Sequence, residues 1–206
     1  MRRSPALLLL AGVALPAASA LSTDYRIEAD RSHADFAVRL LWLHAIDGRF
    51  TRIDGQVRVD PRGLATVDAH IGIDSLAMAS TRFRNWALGT EFFDAARYPR
   101  IHFVSEPVAL ATLNNGGALD GLLNLHGVTL PVHFELRPTD CRTISTGCVI
   151  QVHGTLSRGA FGMDSHRAAL SDQVQLGLSI TLGTPPASTS NGEPVRDLRM
   201  SRAGSR

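Results

Sequence analysis

Apolar residues fall on alternate positions on both sides of residues 126–129, from Leu119 to Leu125 and again from Leu130 to Leu136. A period of two places each apolar set on one face of a β-strand. Between the two sets, Gly127 is the residue best suited to a positive φ. The pattern predicts two antiparallel strands joined by a tight hairpin, with Pro131 at a strand start or on an unpaired edge.

Similar alternation recurs along the chain and predicts further strands. We expect them at residues 25–28, 34–44, 48–60, 66–74, 100–105, 148–156 and 174–182. The third of these is interrupted at Asp54-Gly55, a turn or bulge signal. Most neighbouring strands have no helical segment between them, which excludes a parallel α/β sheet. The sequence therefore predicts an all-β fold, either an antiparallel barrel or a sandwich.

One segment has helical rather than strand periodicity. Phe83, Trp86 and Ala87 recur at helical spacing within residues 80–88. Ser80 is suited to cap the first turn, and Gly89 is suited to end the helix. More aromatic residues follow directly, so we expect a short helix that plugs or gates the barrel. The simpler alternative is that these aromatic residues only pack the core.

The two ends of the chain differ in composition from the middle. Residues 1–20 combine two arginines, an apolar run and a small-residue cleavage site, which is typical of a secretory signal peptide. Residues 183–206 are polar and rich in Pro, Ser and Gly, which predicts a disordered tail. Residues 21–182 are left as one domain, long enough to bury a core. We expect an exported, periplasmic protein.

The charge pattern excludes some functions. All 21 basic residues are arginine, and the chain has no lysine. A Schiff-base lysine and a P-loop lysine are therefore excluded. The segment 21–182 carries 15 Arg against 17 acidic residues, without a basic stripe, so nucleic acid is not an expected partner.

Cys141 and Cys148 are the two cysteines of the chain. In an oxidising compartment they should form a disulfide that closes a short loop. Two free thiols or a redox pair are the alternatives, although the spacing is not that of a C-x-x-C motif.

Seven short motifs occur in the same order as in one known protein family. They are Asp30 to His33 (DRSH), Gly48 to Phe50 (GRF), Phe92 to Asp94 (FFD), Tyr98-Pro99, Ile101 to Phe103 (IHF) with Ser105, residues 121–132 (GLLNLHGVTLPV) and residues 158–163 (RGAFGM). In this respect the chain resembles the YceI-like family of periplasmic polyisoprenoid-binding proteins over about residues 24–182. The resemblance implies a lipocalin-like barrel of about eight strands that holds a long isoprenoid, a quinone or a fatty-acid derivative. It also leads us to expect a homodimer and transient contact with a membrane.

The apolar strand faces and the helix supply the predicted ligand-binding residues. We expect the tunnel to be lined by Phe36, Val38, Leu40, Trp42, Phe50, Phe83, Trp86, Leu88, Ile101, Phe103, Leu123, Leu125, Phe134 and Leu178. A shift of one residue in a strand would turn its set away from the interior. Arg82, Arg84 and Arg158 are candidates to bind an anionic head group, because guanidinium groups fit phosphate. Their alternative role is in ion pairs.

Two other functional classes remain open in the sequence. An enzyme would need a catalytic group, and the eight histidines form neither an H-E-x-x-H motif nor a close pair. His126, His133 and His153 could meet across strands, although His126 at a turn is better suited to a backbone hydrogen bond. A stress-related scaffold would have a solid core without a cavity. We expect no catalytic residue, metal or cofactor.

Overall fold

The computed structural model describes residues 22–41, 43–139, 141 and 147–183. The predicted signal peptide, Trp42 and the predicted tail beyond residue 183 lie outside the described residues. Within the described ranges, no helix is long and apolar enough to cross a membrane.

In the described part of the chain, twelve strands form one antiparallel sheet, and two short helices accompany them. The strands are β1 (Thr23–Arg26), β2 (His33–Leu40), β3 (His44–Phe50), β4 (Ile53–Val59), β5 (Leu64–Gly72), β6 (Leu76–Ala77), β7 (Arg100–Ser105), β8 (Val108–Ala109), β9 (Gly117–Leu125), β10 (Val128–Leu136), β11 (Val149–Ser157) and β12 (Leu170–Thr181). The helices are α1 (Thr81–Leu88) and α2 (Leu110–Asn115), and 3-10 turns occur at Ala29–Arg31, Ile73–Ser75 and Gly159–Phe161.

The sheet curls around one apolar interior. Its strands follow the order β1-β4-β5-β7-β9-β10-β11-β12-β2-β3-β6, and β8 pairs separately with β5. Ile27, just after β1, forms a bridge with Leu182, just after β12. At the other end of the sheet, β6 continues from β5 and pairs with β3. The predicted antiparallel barrel is confirmed, with more strands than the expected number of about eight.

The strand count differs because two predicted strands extend too far and because the two-residue strands β6 and β8 were not predicted. The chain turns between β2 and β3, so residues 34–44 are not one strand. The segment 48–60 is divided at Thr51 and Arg52, and the predicted break at Asp54-Gly55 is wrong. Gly55 lies within β4 at φ 145°, and a Cβ there would stand 2.1 Å from the Asp68 carbonyl oxygen. This glycine therefore permits a close approach of β4 to β5 instead of a turn.

The β9–β10 hairpin agrees with the sequence pattern and turns more tightly than expected. Its turn consists of His126 at φ 53° and Gly127 at φ 77°. Two successive positive φ values are those of a type I′ turn, whose twist matches that of antiparallel strands. The register of β10 with β11 covers Phe134 to Leu136, so Pro131 lies where β11 does not pair with it. Its expected place on an unpaired edge is confirmed.

Helix α1 begins and ends at the predicted residues. The Ser80 hydroxyl accepts a hydrogen bond from the Phe83 amide at 3.4 Å, and Gly89 closes the last turn on the Trp86 carbonyl. Helix α2 was not predicted, because Leu113 is its single buried residue and so short a segment shows no clear period.

Candidate ligand cavity

An apolar cavity of about 190 Å³ occupies the interior of the barrel. Nine strands (β2, β3, β4, β5, β7, β9, β10, β11 and β12) contribute to its wall, and α1 contributes Phe83, Trp86 and Ala87. Two charged residues, Asp35 and Arg158, take part in the lining. The rest of the wall is apolar, so its surface suits hydrocarbon rather than polar groups.

Phenylalanine rings form much of the wall. Phe36, Phe50 and Phe93 form a triangle with ring centroids 5.4–6.0 Å apart. Across the interior, Phe103 and Phe134 meet edge to face at 5.4 Å. Contacts of this geometry fix the rings against one another, so they give the cavity a defined shape.

The aromatic residues of α1 and the following loop form a separate cluster at the helix. Trp86 contacts Phe92 edge to face, with centroids 4.6 Å apart, and contacts His166 at 5.1 Å. The Trp86 indole N–H donates to the Glu91 carboxylate at 2.9 Å, and His166 Nε2 lies 3.2 Å from the same oxygen. These two partners, the indole first, lower the pKa of Glu91. The cluster therefore ties α1 to the segment that precedes β12.

Eleven of the fourteen predicted lining residues lie on the cavity wall. They are Phe36, Val38, Phe50, Phe83, Trp86, Ile101, Phe103, Leu123, Leu125, Phe134 and Leu178. That they bind a ligand stays a prediction. Trp42 lies outside the described residues.

Leu40 and Leu88 do not line the cavity, and their predicted placement is wrong. Leu40 is the last residue of β2, and its register partner is Leu170, which lies before the register shift to Val174 in β12. At this end of the strand pair, Leu170 lines the cavity and Leu40 does not. Leu88 stands two residues after Trp86, about 200° around the helix. It therefore faces away from the side that Phe83, Trp86 and Ala87 present to the cavity.

Further lining residues were missed by the sequence analysis. They are Ile27, Ala34, Ile46, Ile53, Val67, Ala69, Ile71, Met78, Ala87, Phe92, Phe93, Leu119, Val152, Leu156, Met163, Leu170, Val174, Leu176 and Ile180. On β5 the signal was present, because Val67, Ala69 and Ile71 alternate within a predicted strand. The residues of the loops and turns have no such period.

Arg158 is a structural clamp, which corrects its predicted role at a head group. The residue is 4% exposed. Its guanidinium donates to the backbone carbonyls of Met163, Ser165, Leu170 and Ser171. Four of the five guanidinium N–H donors are thereby committed. Burial, more than any other cause, lowers the pKa of Arg158.

The other two predicted head-group arginines differ in their contacts. Arg84 donates from Nε to the Leu76 carbonyl at 2.6 Å and from Nη2 to the Asp74 carbonyl at 3.2 Å. It therefore fastens α1 to the turn before β6. Arg82 is exposed and has no hydrogen bond or ion pair with the described part of the chain. Its role at a head group stays a prediction.

Two of the three histidines expected to meet across strands, His126 and His133, have separate partners, and the buried Nε2 of His153 has no hydrogen-bond partner among the described residues. His126 Nδ1 lies 3.1 Å from the Phe161 carbonyl oxygen, which confirms the expected backbone hydrogen bond. His133 Nδ1 instead lies 2.7 Å from Asp120. Cys141 and Cys148 form the predicted disulfide, with Cα atoms 5.7 Å apart.

The family model of the YceI-like domain matches residues 25–182, which is nearly all of the described barrel. The chain belongs to the YceI-like family. It is 29% identical over 143 residues to Protein YceI of Escherichia coli O6:H1, covering 66% of this chain and 73% of the relative. It is 26% identical over 180 residues to a UPF0312 protein of Yersinia pestis, covering 84% of this chain and 93% of the relative.

Solved structures of low sequence identity share the fold. The crystal structure of BcnA from Burkholderia cenocepacia superimposes with a TM-score of 0.66 at 20% identity, covering 77% of this chain and 99% of that one. A polyisoprenoid-binding domain from Saccharophagus degradans superimposes with a TM-score of 0.61 at 16% identity, covering 78% of this chain and 98% of that one. At these identities the likeness concerns the YceI-like barrel itself.

Proposed function

We propose that this protein binds the apolar chain of an amphiphilic lipid, of the isoprenoid, quinone or fatty-acyl class, and carries it through the periplasm. The observation that carries the proposal is the interior cavity with its almost wholly hydrocarbon wall. The name of the Saccharophagus degradans neighbour, a polyisoprenoid-binding domain, supports the same ligand class. A solid scaffold would have no such cavity.

The charged residues of the wall are occupied by protein partners. The Asp35 carboxylate accepts hydrogen bonds from Nε and Nη2 of Arg49. Arg158 is held by backbone carbonyls, as described above. The lining residues therefore offer contact surface rather than a paired acid and base, which favours binding and transport over catalysis.

Burial of apolar chain explains selectivity better than it explains affinity. Each CH₂ group moved from water into an apolar site contributes about 0.8 kcal/mol. A lipid enters the barrel from a membrane, however, so its hydrocarbon is already out of water and the exchange is nearly neutral. The cavity would then select chain length and shape, while release into another membrane stays energetically accessible.

An exposed apolar turn supports loading and unloading at a membrane. The turn between β2 and β3 includes Leu41, 56% exposed, and Leu43, 81% exposed. The same hairpin supplies Val38 and Ile46 to the cavity wall. Leucines on a projecting turn can enter the acyl boundary of a bilayer, so this turn would place the cavity next to its source of lipid.

The proposed periplasmic location is supported by residues 1–20, which have the pattern of a signal peptide. The disulfide between Cys141 and Cys148 is consistent with an oxidising compartment.

Native mass spectrometry of protein produced in a bacterial periplasm, followed by organic extraction, tests the proposal. We expect a mass excess that is recovered on extraction as a discrete prenyl, quinone or acyl species. A clean apo mass that stays unchanged after incubation with vesicles containing such lipids would refute the carrier function.

A further inference from the structure

A row of polar side chains crosses the outer face of the barrel, on the side away from the cavity. Asp54, His70, His102 and Asn124 are direct register partners on β4, β5, β7 and β9. The residues next to them along the strands, such as Ala69 and Phe103, lie on the opposite face of the sheet and line the cavity. The row therefore points outward, where a ligand from solution can reach it.

Three side chains of this region converge on one point. Asp68 lies two residues before His70 and so shares its outward face. Asp68 Oδ1 is 2.8 Å from His102 Nε2 and 3.5 Å from His70 Nε2. The ligand atoms of the three residues lie within 4.8 Å of one another. Two imidazole nitrogens thus approach the same carboxylate oxygen.

These separations are close to those of a metal site. Zinc binds imidazole nitrogen and carboxylate oxygen at about 2.0–2.2 Å, so two ligands of a tetrahedral ion stand roughly 3.3 Å apart. The two distances from Asp68 fall on either side of that value. The rings of His70 and His102 are stacked, with centroids 4.1 Å apart and planes at 13°. Rotation about χ2, a soft torsion, would turn both nitrogens toward a shared ion.

We propose that Asp68, His70 and His102 bind a divalent transition-metal ion of the Zn²⁺ class, with water in the remaining coordination position. Two imidazoles and one carboxylate form a donor set that such ions favour. Asp68 and His70 open on a groove of about 570 Å³ that is also lined by Asp54, the register partner of His70. Asp24 and Glu28 in the same lining are paired with Arg58 and Arg31. The site lies outside the lipid cavity and does not depend on it.

The proposed ion would link β5 to β7. His70 belongs to β5 and His102 to β7, and their inner neighbours Ala69 and Phe103 are register partners on the cavity wall. Because the ion binds the folded arrangement, it should stabilise this wall and raise the thermal unfolding midpoint.

Isothermal titration of the chain, purified without a histidine tag, with ZnCl₂ tests the site. We expect one ion per chain, and a visible absorption spectrum typical of tetrahedral coordination when Co²⁺ replaces Zn²⁺. Loss of a group that only orients a metal ligand costs about 10–100-fold in affinity. His70→Ala and His102→Ala, which remove ligands, should therefore each weaken binding by at least about tenfold.

His133→Ala is the matched control. His133 is exposed and pairs with Asp120 at 2.7 Å, and neither residue belongs to the proposed metal site. Its substitution should leave zinc affinity unchanged. The proposal is overturned if wild-type protein binds no zinc, or if His70→Ala and His102→Ala bind it as tightly as wild type. An equal loss in His133→Ala would also overturn it, because binding would then be distributed over surface histidines. A thermal scan of each apo variant confirms folding.

Discussion

Phe36 on β2 occupies the space above Gly48, its register partner on β3. A Cβ at Gly48 would stand 2.3 Å from the Phe36 Cζ atom. Phe134 and Gly154 repeat this relationship on β10 and β11, where the corresponding distance from Cδ1 is also 2.3 Å. In both pairs, the missing side chain of one strand makes room for an aromatic ring of its neighbour.

Gly48→Ala should therefore damage both stability and ligand capacity. The new methyl group must displace the Phe36 ring toward the cavity, and overpacking of this kind costs about 1–3 kcal/mol. Urea unfolding measures the loss of stability, and native mass spectrometry measures the bound lipid. Gly177→Ala is the control, since its Cβ would meet its nearest neighbour at 3.8 Å. Equal stability of the two variants would contradict the packing argument.

Ala69→Phe should block the cavity without disturbing the outer surface. Ala69 faces the interior from β5, so the larger side chain fills space that a lipid would occupy. We expect loss of copurified lipid from a protein that still shows cooperative thermal unfolding. Ala118→Phe places the same side chain at an exposed position of β9 and should retain lipid. Full lipid occupancy in Ala69→Phe would show that the ligand binds elsewhere.

Arg158→Lys should destabilise the protein although the charge is kept. A lysine ammonium cannot reproduce the fork that serves four carbonyls, and buried carbonyls without donors are costly. We expect a loss of about 3 kcal/mol in the free energy of unfolding. Arg167→Lys, in an exposed pair with Asp164, should cost less than about 1 kcal/mol. Similar losses in the two variants would argue against the clamp.

Acidification should release Trp86 from Glu91. The folded pKa of Glu91 is lowered, chiefly by the indole N–H, so its hydrogen bonds stabilise the fold above the unfolded value of about 4.3. That contribution is lost as the pH falls through the lower folded pKa. Tryptophan fluorescence in a Trp42→Phe background should report a transition at a pH below the ordinary glutamate pKa of about 4.3. Glu91→Gln should remove it, and an unchanged transition in Glu91→Gln would assign it to other carboxylates.

Leu43→Ser should slow lipid transfer between vesicles and leave the loaded protein intact. Leu43 is the more exposed leucine of the β2–β3 turn, and it does not line the cavity. Leu122→Ser is a matched control, because Leu122 is 55% exposed on β9. A fluorescent fatty-acid transfer assay measures both variants. Equal transfer rates would show that the turn does not contact the bilayer.

Alternation within strands predicted the wall of the barrel well. Phe36 and Val38, and likewise Leu123 and Leu125, were assigned to the inner face from a period of two, and the structure places them there. The Ser80 and Gly89 signals set the ends of α1 correctly because capping is a local interaction. Structural features that depend on residues close together in the sequence could therefore be predicted from the sequence.

Features that depend on contacts between distant parts of the chain could not be predicted from the sequence. Asp54-Gly55 predicts a turn or a bulge, because nothing nearby in sequence shows that the Asp68 backbone approaches Gly55. Arg158 was assigned to a head group because its four acceptors come together only when the segment before β12 folds around it. Asp68, His70 and His102 were not connected at all, since β5 and β7 are separated by α1.

The pairing of β12 with β2 constrains the order in which the molecule can assemble. Val38 pairs with Val174, so β2 lacks a neighbour on one side until nearly the whole domain has been synthesised. Contacts of such long range slow folding, and an unpaired strand can join the strands of other chains. A nascent chain of this protein is therefore most exposed to aggregation just before its final strand arrives. A holding chaperone should have its greatest effect in that interval.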